Sequence, residues 1–266
     1  MRHIASQPNP PISRTFTCFA EEAYVVGYNT INITKQYTLL TVNFKSTSDE
    51  ALTINEAFPY AEGMTAGKAL TTADNIQVMT ADGGYDTYFL SNGDYGKNNH
   101  STELENKWAK AGTSVVSEDK LAPGATFWYV SRGAANGNSH TITTAGQVLN
   151  AESETYTINK TYTLIGCPYP VEVALNGGIE VTGATSGKAL TAADNIQIMT
   201  ADGGYDTYFL SNGDYGKNNH STELENKWAK AGTSVVTTDK FPVGGGAWYV
   251  SRSKSGSVKF LNPLAK

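Results

Sequence analysis

Hydrophobic and polar positions along this chain alternate in short runs broken by Gly, Asn and Asp, the pattern of β-strands joined by tight turns. YVVGYNTINI (24–33) and KQYTLLTVNF (35–44) are rich in β-branched and aromatic residues with partial period-two alternation. The same signal returns at TYTINKTYTLIGCPYPVEVAL (155–175), where Tyr162-Thr163-Leu164 matches Tyr37-Thr38-Leu39. Further on, Asn75–Met79 and Tyr85–Leu90 read as two strands around Ala81-Asp82-Gly83-Gly84, because Asp-Gly and Gly-Gly tolerate the positive φ of hairpin turns. Asn92-Gly93 marks the next expected reversal. HSTELENKWAKAGTSVV (100–116) is ambiguous: Thr102 with Glu105 would suit a capping box on a short helix, but the pattern favours strand. LAPGATFWYVSR (121–132) and FPVGGGAWYVSR (241–252) each read as a Gly-containing loop and an aromatic strand, with Trp128 and Trp248 expected to plug the core.

Residues 67–116 return at 187–236 with two substitutions, Thr72 to Ala192 and Val78 to Ile198, and 81–116 is identical to 201–236. A period near 120 residues is far longer than a solenoid or propeller unit and matches a sandwich-sized domain. The front strands are offset by 125 instead of 120, which places an insertion before Gly67, in the polar stretch 45–63 that is expected to have no counterpart in the second copy. The sequence thus predicts an all-β protein of two tandem antiparallel β-sandwich-like modules. An extended arm (1–21) precedes module one (22–132), a flexible polar linker (133–147) and module two (148–266). Trp108, Trp128, Trp228 and Trp248 are expected in the cores. Sheet edges are expected to be covered by the arm, the linker or another chain.

Only 17% of residues are charged and the formal net charge is −5, which leaves no basic footprint for nucleic acid. No apolar run reaches membrane-spanning length. The opening twenty residues lack a continuous apolar stretch, although Cys18-Phe19-Ala20 before Glu21 looks like the end of a signal peptide. Composition and the resemblance below imply an extracellular or cell-surface location. Cys18 and Cys167 occupy non-equivalent positions, so they are either two unpaired thiols or one disulfide that export would permit.

Tyr162 to Pro170, Asp194 to Met199, Gly204 to Tyr208, Trp228 and Gly244 to Val250 together resemble a loosely defined, repeated β-module of secreted and surface proteins from Verrucomicrobia and Lentisphaerae. Module one keeps Asp74 to Met79, Gly84 to Tyr88, Trp108 and Pro123 to Val130, but departs at its front, where TVNF stands in place of GCPYP. The resemblance covers most of both halves and implies an exported all-β domain. It carries no catalytic residues.

Chemical signatures are weak. Asp82, Asp86, Asp94 and Asn92, with Asp202, Asp206, Asp214 and Asn212, offer oxygen ligands for calcium, but Asp-Gly and Asn-Gly are also plain turn formers. His100 and Glu103, repeated as His220 and Glu223, have no second histidine nearby for a catalytic zinc site. Glu103, Glu105 and Asp94 would nominally supply a glycosidase pair, yet all lie in polar loops where carboxylates are expected. Nucleophile-elbow, P-loop and dinucleotide motifs are absent. Metal, cofactor and catalytic roles are therefore not expected. Four Asn-x-Ser/Thr tripeptides, at Asn32, Asn99, Asn159 and Asn219, fit the glycosylation pattern.

The interface or ligand candidates are Tyr85, Tyr88 and Tyr95 with their copies Tyr205, Tyr208 and Tyr215. Tyrosines near loops supply rigid contact area with a polar tip, while strand alternation requires some of them to be core. An enzyme rarely needs its active site twice in one chain, so the duplication points to binding or assembly. The leading expectation is a non-enzymatic structural subunit that assembles with itself, head to tail, into a filament or surface layer, with the arm as strand donor. The alternative is a cell-surface carbohydrate-binding or adhesive tandem module, in which two identical sites gain avidity for a repeating glycan.

Overall fold

The computed structural model describes residues 25–200 and 202–265. It is all-β with antiparallel pairing throughout its named strands. Module one contains β1 (Val26–Ile33), β2 (Tyr37–Thr41), β3 (Leu52–Thr53), β4 (Asn75–Met79), β5 (Tyr85–Tyr95), β6 (Asn99–Lys110), β7 (Lys120–Leu121), β8 (Thr126–Val130) and β9 (His140–Gln147), with helical turns α1 (Ile54–Ala57) and α2 (Arg132–Ala135). Module two contains β10 (Ser153–Ile158), β11 (Tyr162–Gly166), β12 (Val173–Ala174), the turn α3 (Leu175–Gly178), β13 (Ile179–Thr182), β14 (Asn195–Met199), β15 (Tyr205–Tyr215), β16 (Asn219–Lys230), β17 (Lys240–Phe241), β18 (Gly246–Val250) and β19 (Gly256–Leu261). Each module is built on a five-stranded sheet, ordered β2-β8-β4-β5-β6 and β11-β18-β14-β15-β16. A smaller sheet lies across it: β1-β9 in module one and β10-β19-β13 in module two.

Alternation sets the core. Leu40, Ile76, Tyr88, Leu90, Trp108, Phe127 and Tyr129 turn inward from the large sheet to meet Ile33 and Ile142 from the small one, with Ile54 and Phe58 between them. A second cluster repeats this around Ile165, Ile196, Tyr208, Trp228, Phe241, Tyr249 and Phe260. Trp108 is fully buried and its indole N–H donates to Phe58 O at 2.6 Å. Trp128 and Trp248 do not plug the cores. Their neighbours Phe127 and Tyr129, or Ala247 and Tyr249, take the inward positions, so period two sends each tryptophan to the opposite face. There each packs edge-on against a tyrosine, Tyr37 or Tyr162, with ring centroids 6.3 Å apart.

Three other expectations are corrected. The stretch 133–147 is no linker: β9 pairs with β1 over eight residues and buries His140, Ile142 and Thr144 while Thr141, Thr143 and Ala145 face solvent. Its Thr-rich alternation was masked by the Gly, Asn and Ser before it. The stretch 45–63 is not absent from module two: β3 and α1 have counterparts in β12 and α3, and Asn55 and Asn176 both reach the backbone of the buried tryptophan's strand. Most of the extra length lies between Thr41 and Leu52, eleven positions apart against seven from Gly166 to Val173. Asn92-Gly93 is not a chain reversal but a β-bulge inside β5. Among the described residues module one has no third strand in its small sheet. Where module two has Ile179–Thr182 paired to β19, module one has Phe58-Pro59-Tyr60-Ala61, and Pro59 has no N–H to donate.

The modules pack through β2 and β8 of the first against β11 and β18 of the second. Thr41 N donates to Gly244 O at 2.8 Å, and Asn43 Nδ2 donates to Cys167 O at 2.7 Å. Contacts come in exchanged pairs. Ile31 lies over Gly244, and its counterpart Tyr156 lies over Gly124. Lys160 donates to Thr80 O at 3.0 Å beside Asp82, and its counterpart Lys35 faces Asp202. At the centre Thr41 and Thr126, register partners on β2 and β8, stand over Gly166 and Gly246, register partners on β11 and β18. A Cβ on either glycine would fall on those threonines. Reciprocal contacts of this kind define an isologous arrangement about a pseudo-two-fold axis, which closes on itself. The contact within the chain is thus a closed one.

Candidate functional site

The hairpin strands of the duplicated segment build the outer end of each large sheet, while its β4–β5 turn touches the other module at Thr80. At the outer end β5 and β6 form a long hairpin whose ladder is interrupted. Ser91 pairs with Lys107 and Asn92 with Glu105, so Asn106 is squeezed out in the left-handed conformation at φ 56°. The next pair is Asp94 with His100, which leaves Gly93 alone opposite residues 101–104. Only glycine fits at position 93: its φ is 88°, and a Cβ would meet His100 Cε1 and Ser101 O at 2.7 Å. The displaced strand turns Leu104 inward onto Phe89, Ala73 and Ala109, a small apolar cluster separate from the main core.

This cluster floors a cleft of about 460 Å³ in module one and about 400 Å³ in module two. Lys68, Leu70, Phe89 and Tyr95 line it, with Thr113 and Ser114 on the opposite rim. Lys188, Leu190, Phe209, Tyr215, Thr233 and Ser234 repeat the arrangement. The rim is held by the framework: Arg132 Nη2 donates to Leu70 O at 2.6 Å and its Nε to Ala73 O at 3.1 Å. Gly67 N donates to Leu90 O at 2.9 Å and Gly67 O accepts from Asn92 N at 3.2 Å, which ties the Lys68 loop to the bulge. Beneath it Asp74, fully buried, accepts from Tyr129 Oη and Arg132 N, each at 2.6 Å.

The six tyrosines fall into three pairs. Tyr95 and Tyr215 line the clefts, each half-buried. Tyr88 and Tyr208 are core residues whose hydroxyls reach the surface to donate to Asp119 at 2.6 Å and Asp239 at 2.8 Å. Burial, then these carboxylates, push both phenols far above the ordinary tyrosine range. Tyr85 and Tyr205 are exposed at the start of β5 and β15, outside the clefts. Tyr95 and Tyr215 are thus the only two of the six placed to meet a ligand in a concave site.

Beside each cleft a histidine is held between two carboxylates. His100 Nδ1 lies 2.9 Å from Asp94 Oδ1 and Nε2 lies 2.9 Å from Glu105 Oε1; His220 repeats both contacts with Asp214 and Glu225. The hydrogen bond to Asp94, and then that to Glu105, raise the imidazole pKa above the ordinary histidine value. Among the described residues no group of three or more His, Cys, Asp or Glu side chains is placed to hold a metal ion. Here the two carboxylates sit on opposite ring nitrogens and diverge. Asp82 is engaged with Thr80 and Gly84 N in the β4–β5 turn, and Asp86 pairs with Lys110, so the sequence's oxygen-rich set does not converge either. Glu103 takes no part in the histidine contact; Glu105 does.

Cys167 is fully buried, and desolvation pushes its thiol up to about 12. Cys18, the other half of the suggested disulfide, and the arm that carries it lie outside the described residues. No described helix is long and apolar enough to cross a membrane. Comparison with models of known families, with curated proteins and with solved structures returns no match.

Proposed function

We propose that the chain is a non-enzymatic, exported tandem recognition protein whose two clefts bind units of a repeating surface carbohydrate. One observation carries this reading: the clefts and their exposed rims are identical in both modules, while the faces that pack against each other differ. Buried positions are constrained by packing, but nothing in the fold requires Lys68, Lys97, Thr113 and Ser114 to recur at solvent-facing sites. A shared ligand does. A half-exposed tyrosine over an apolar floor, rimmed by two hydroxyls and a lysine, offers the stacking face and hydrogen-bonding edge that a sugar ring needs. Two such sites on one rigid chain raise avidity for a repeated ligand by roughly 10²–10⁴.

Filament formation is less well supported, because the contact available inside the chain closes on itself. The outermost strands β6 and β16 are also lined with Lys and Glu and bulged at Asn106 and Asn226, features that resist strand addition. The test is a polysaccharide and glycan panel probed with the monomeric chain. The expected result is saturable binding that is lost in the Tyr95→Ala/Tyr215→Ala double variant and reduced to single-site affinity in either single variant. Absence of binding across the panel, together with polymers under the electron microscope, would return the filament to first place.

A further inference from the structure

Both ring nitrogens of His100 face a carboxylate oxygen at hydrogen-bond distance. A neutral imidazole has one N–H and one lone pair, so in that form one nitrogen would oppose a carboxylate oxygen, acceptor against acceptor. Only the imidazolium satisfies both contacts. The geometry therefore selects a protonated ring, independently of any titration value, and it does so twice in the chain.

The location gives this a consequence. Asp94 and His100 form the last regular pair on one side of the ladder gap, and Glu105 belongs to the first pair on the other side. Across the gap the hairpin has lost its regular main-chain bonds, and the imidazolium joins the two sides in their place. Asp94 immediately precedes Tyr95, which lines the cleft, and Glu105 immediately follows Leu104, which packs with the cleft-lining Phe89. The charged groups that face the ring are Asp94 from β5 and Glu105 from β6, with Lys68 acting on Asp94 from the loop before β4. In module two they are Asp214, Glu225 and Lys188.

We propose that His100 and His220 are proton-operated clamps that hold the two hairpins, and with them the two clefts, in their binding shape, and release them when the ring loses its second proton. The part that concerns ligand rests on the carbohydrate reading; the clamp itself does not. Because the folded-state pKa lies above the unfolded one, the stabilisation is fully present below the unfolded histidine's pKa and is lost as pH rises through the folded value. Capture is thus favoured in mildly acidic surroundings and release in alkaline ones.

The first measurement needs no ligand. Histidine ring resonances of the full chain are followed against pH by NMR, alongside amide exchange of residues 93–105 and 213–225, with β4 and β14 as internal controls. Expected for His100 and His220 are midpoints above those of histidines in the denatured chain, and hairpin exchange that accelerates relative to the controls as pH passes them. The His100→Gln/His220→Gln variant should lose this relative acceleration. Midpoints at or below the denatured values, or hairpin amides that track the controls throughout, would overturn the clamp. The second measurement is polysaccharide affinity on both sides of the midpoint: wild type should bind more weakly on the alkaline side, and the double variant should be flat. PH-independent wild-type binding overturns the gating. No binding at any pH, with the rings titrating as described, overturns the carbohydrate reading and leaves the clamp standing.

Discussion

The inner and outer parts of each module have had opposite histories. The inner strands β2 and β11 share a Tyr-Thr-Leu start and then diverge, to Thr41, Val42 and Asn43 in one and Gly166, Cys167 and Pro168 in the other. The outer hairpins β5–β6 and β15–β16 are the same residue for residue. The pseudo-two-fold axis explains the first. A position on that axis meets its own counterpart, so two threonine pairs would collide and two glycine pairs would leave a void. One pair of each fits. Divergence at the centre is what lets two similar modules pack tightly, and identity at the rim is what lets them do the same thing outside.

The most severe break should come from the part the modules share. Trp108→Ala and Trp228→Ala each remove a buried indole and should cost about 3–5 kcal/mol, measured by urea unfolding. Trp108→Ala should be the worse of the two, since it also strands Phe58 O, which accepts the indole N–H at 2.6 Å. Equal costs would mean that this bond contributes nothing.

The inner halves can be tested by exchange. Gly166→Thr/Gly246→Thr places four threonines on the axis and should destabilise by about 1–3 kcal/mol through overpacking. Adding Thr41→Gly/Thr126→Gly to that variant restores one pair of each with the roles reversed, and should recover most of the loss. A quadruple variant no more stable than the double would show that the two faces are not related by the axis described.

At the small end, Tyr85→Ala/Tyr205→Ala should change stability by less than about 0.5 kcal/mol, as exposed positions do, and should leave carbohydrate binding intact. Loss of binding in that variant as large as in Tyr95→Ala/Tyr215→Ala would move the ligand site off the cleft.

How legible this was in the sequence depended on whether a signal was local. Asn75–Met79 could be delimited because polar and turn residues flank a compact apolar run. The strand beside it runs to Tyr95 instead of Leu90, since Asn-Gly marks both turns and bulges and only the partner strand decides between them. His140–Gln147 looked like a linker because threonine is polar by composition yet suits a half-buried strand. The cleft was half visible: Tyr95 was named as a candidate, but Phe89 was hidden behind Tyr88, its neighbour on the opposite face. The carboxylate contacts of His100 were not legible, because His100 with Glu103 invites only a zinc reading. His-x-x-Glu is a helical spacing, whereas the bulged strand brings Glu105 to the ring and sends Glu103 away.

The glycine floor under Thr41 and Thr126 also fixes how such a chain can grow. Tandem arrays usually lengthen one repeat at a time, each copy docking on the last as beads are added to a string. Here the docking face of each module is already spent on its sibling, so a third copy would arrive with its docking face uncovered. A descendant with more clefts would have to gain them two at a time, as a whole second pair. Valence in this architecture is counted in even numbers.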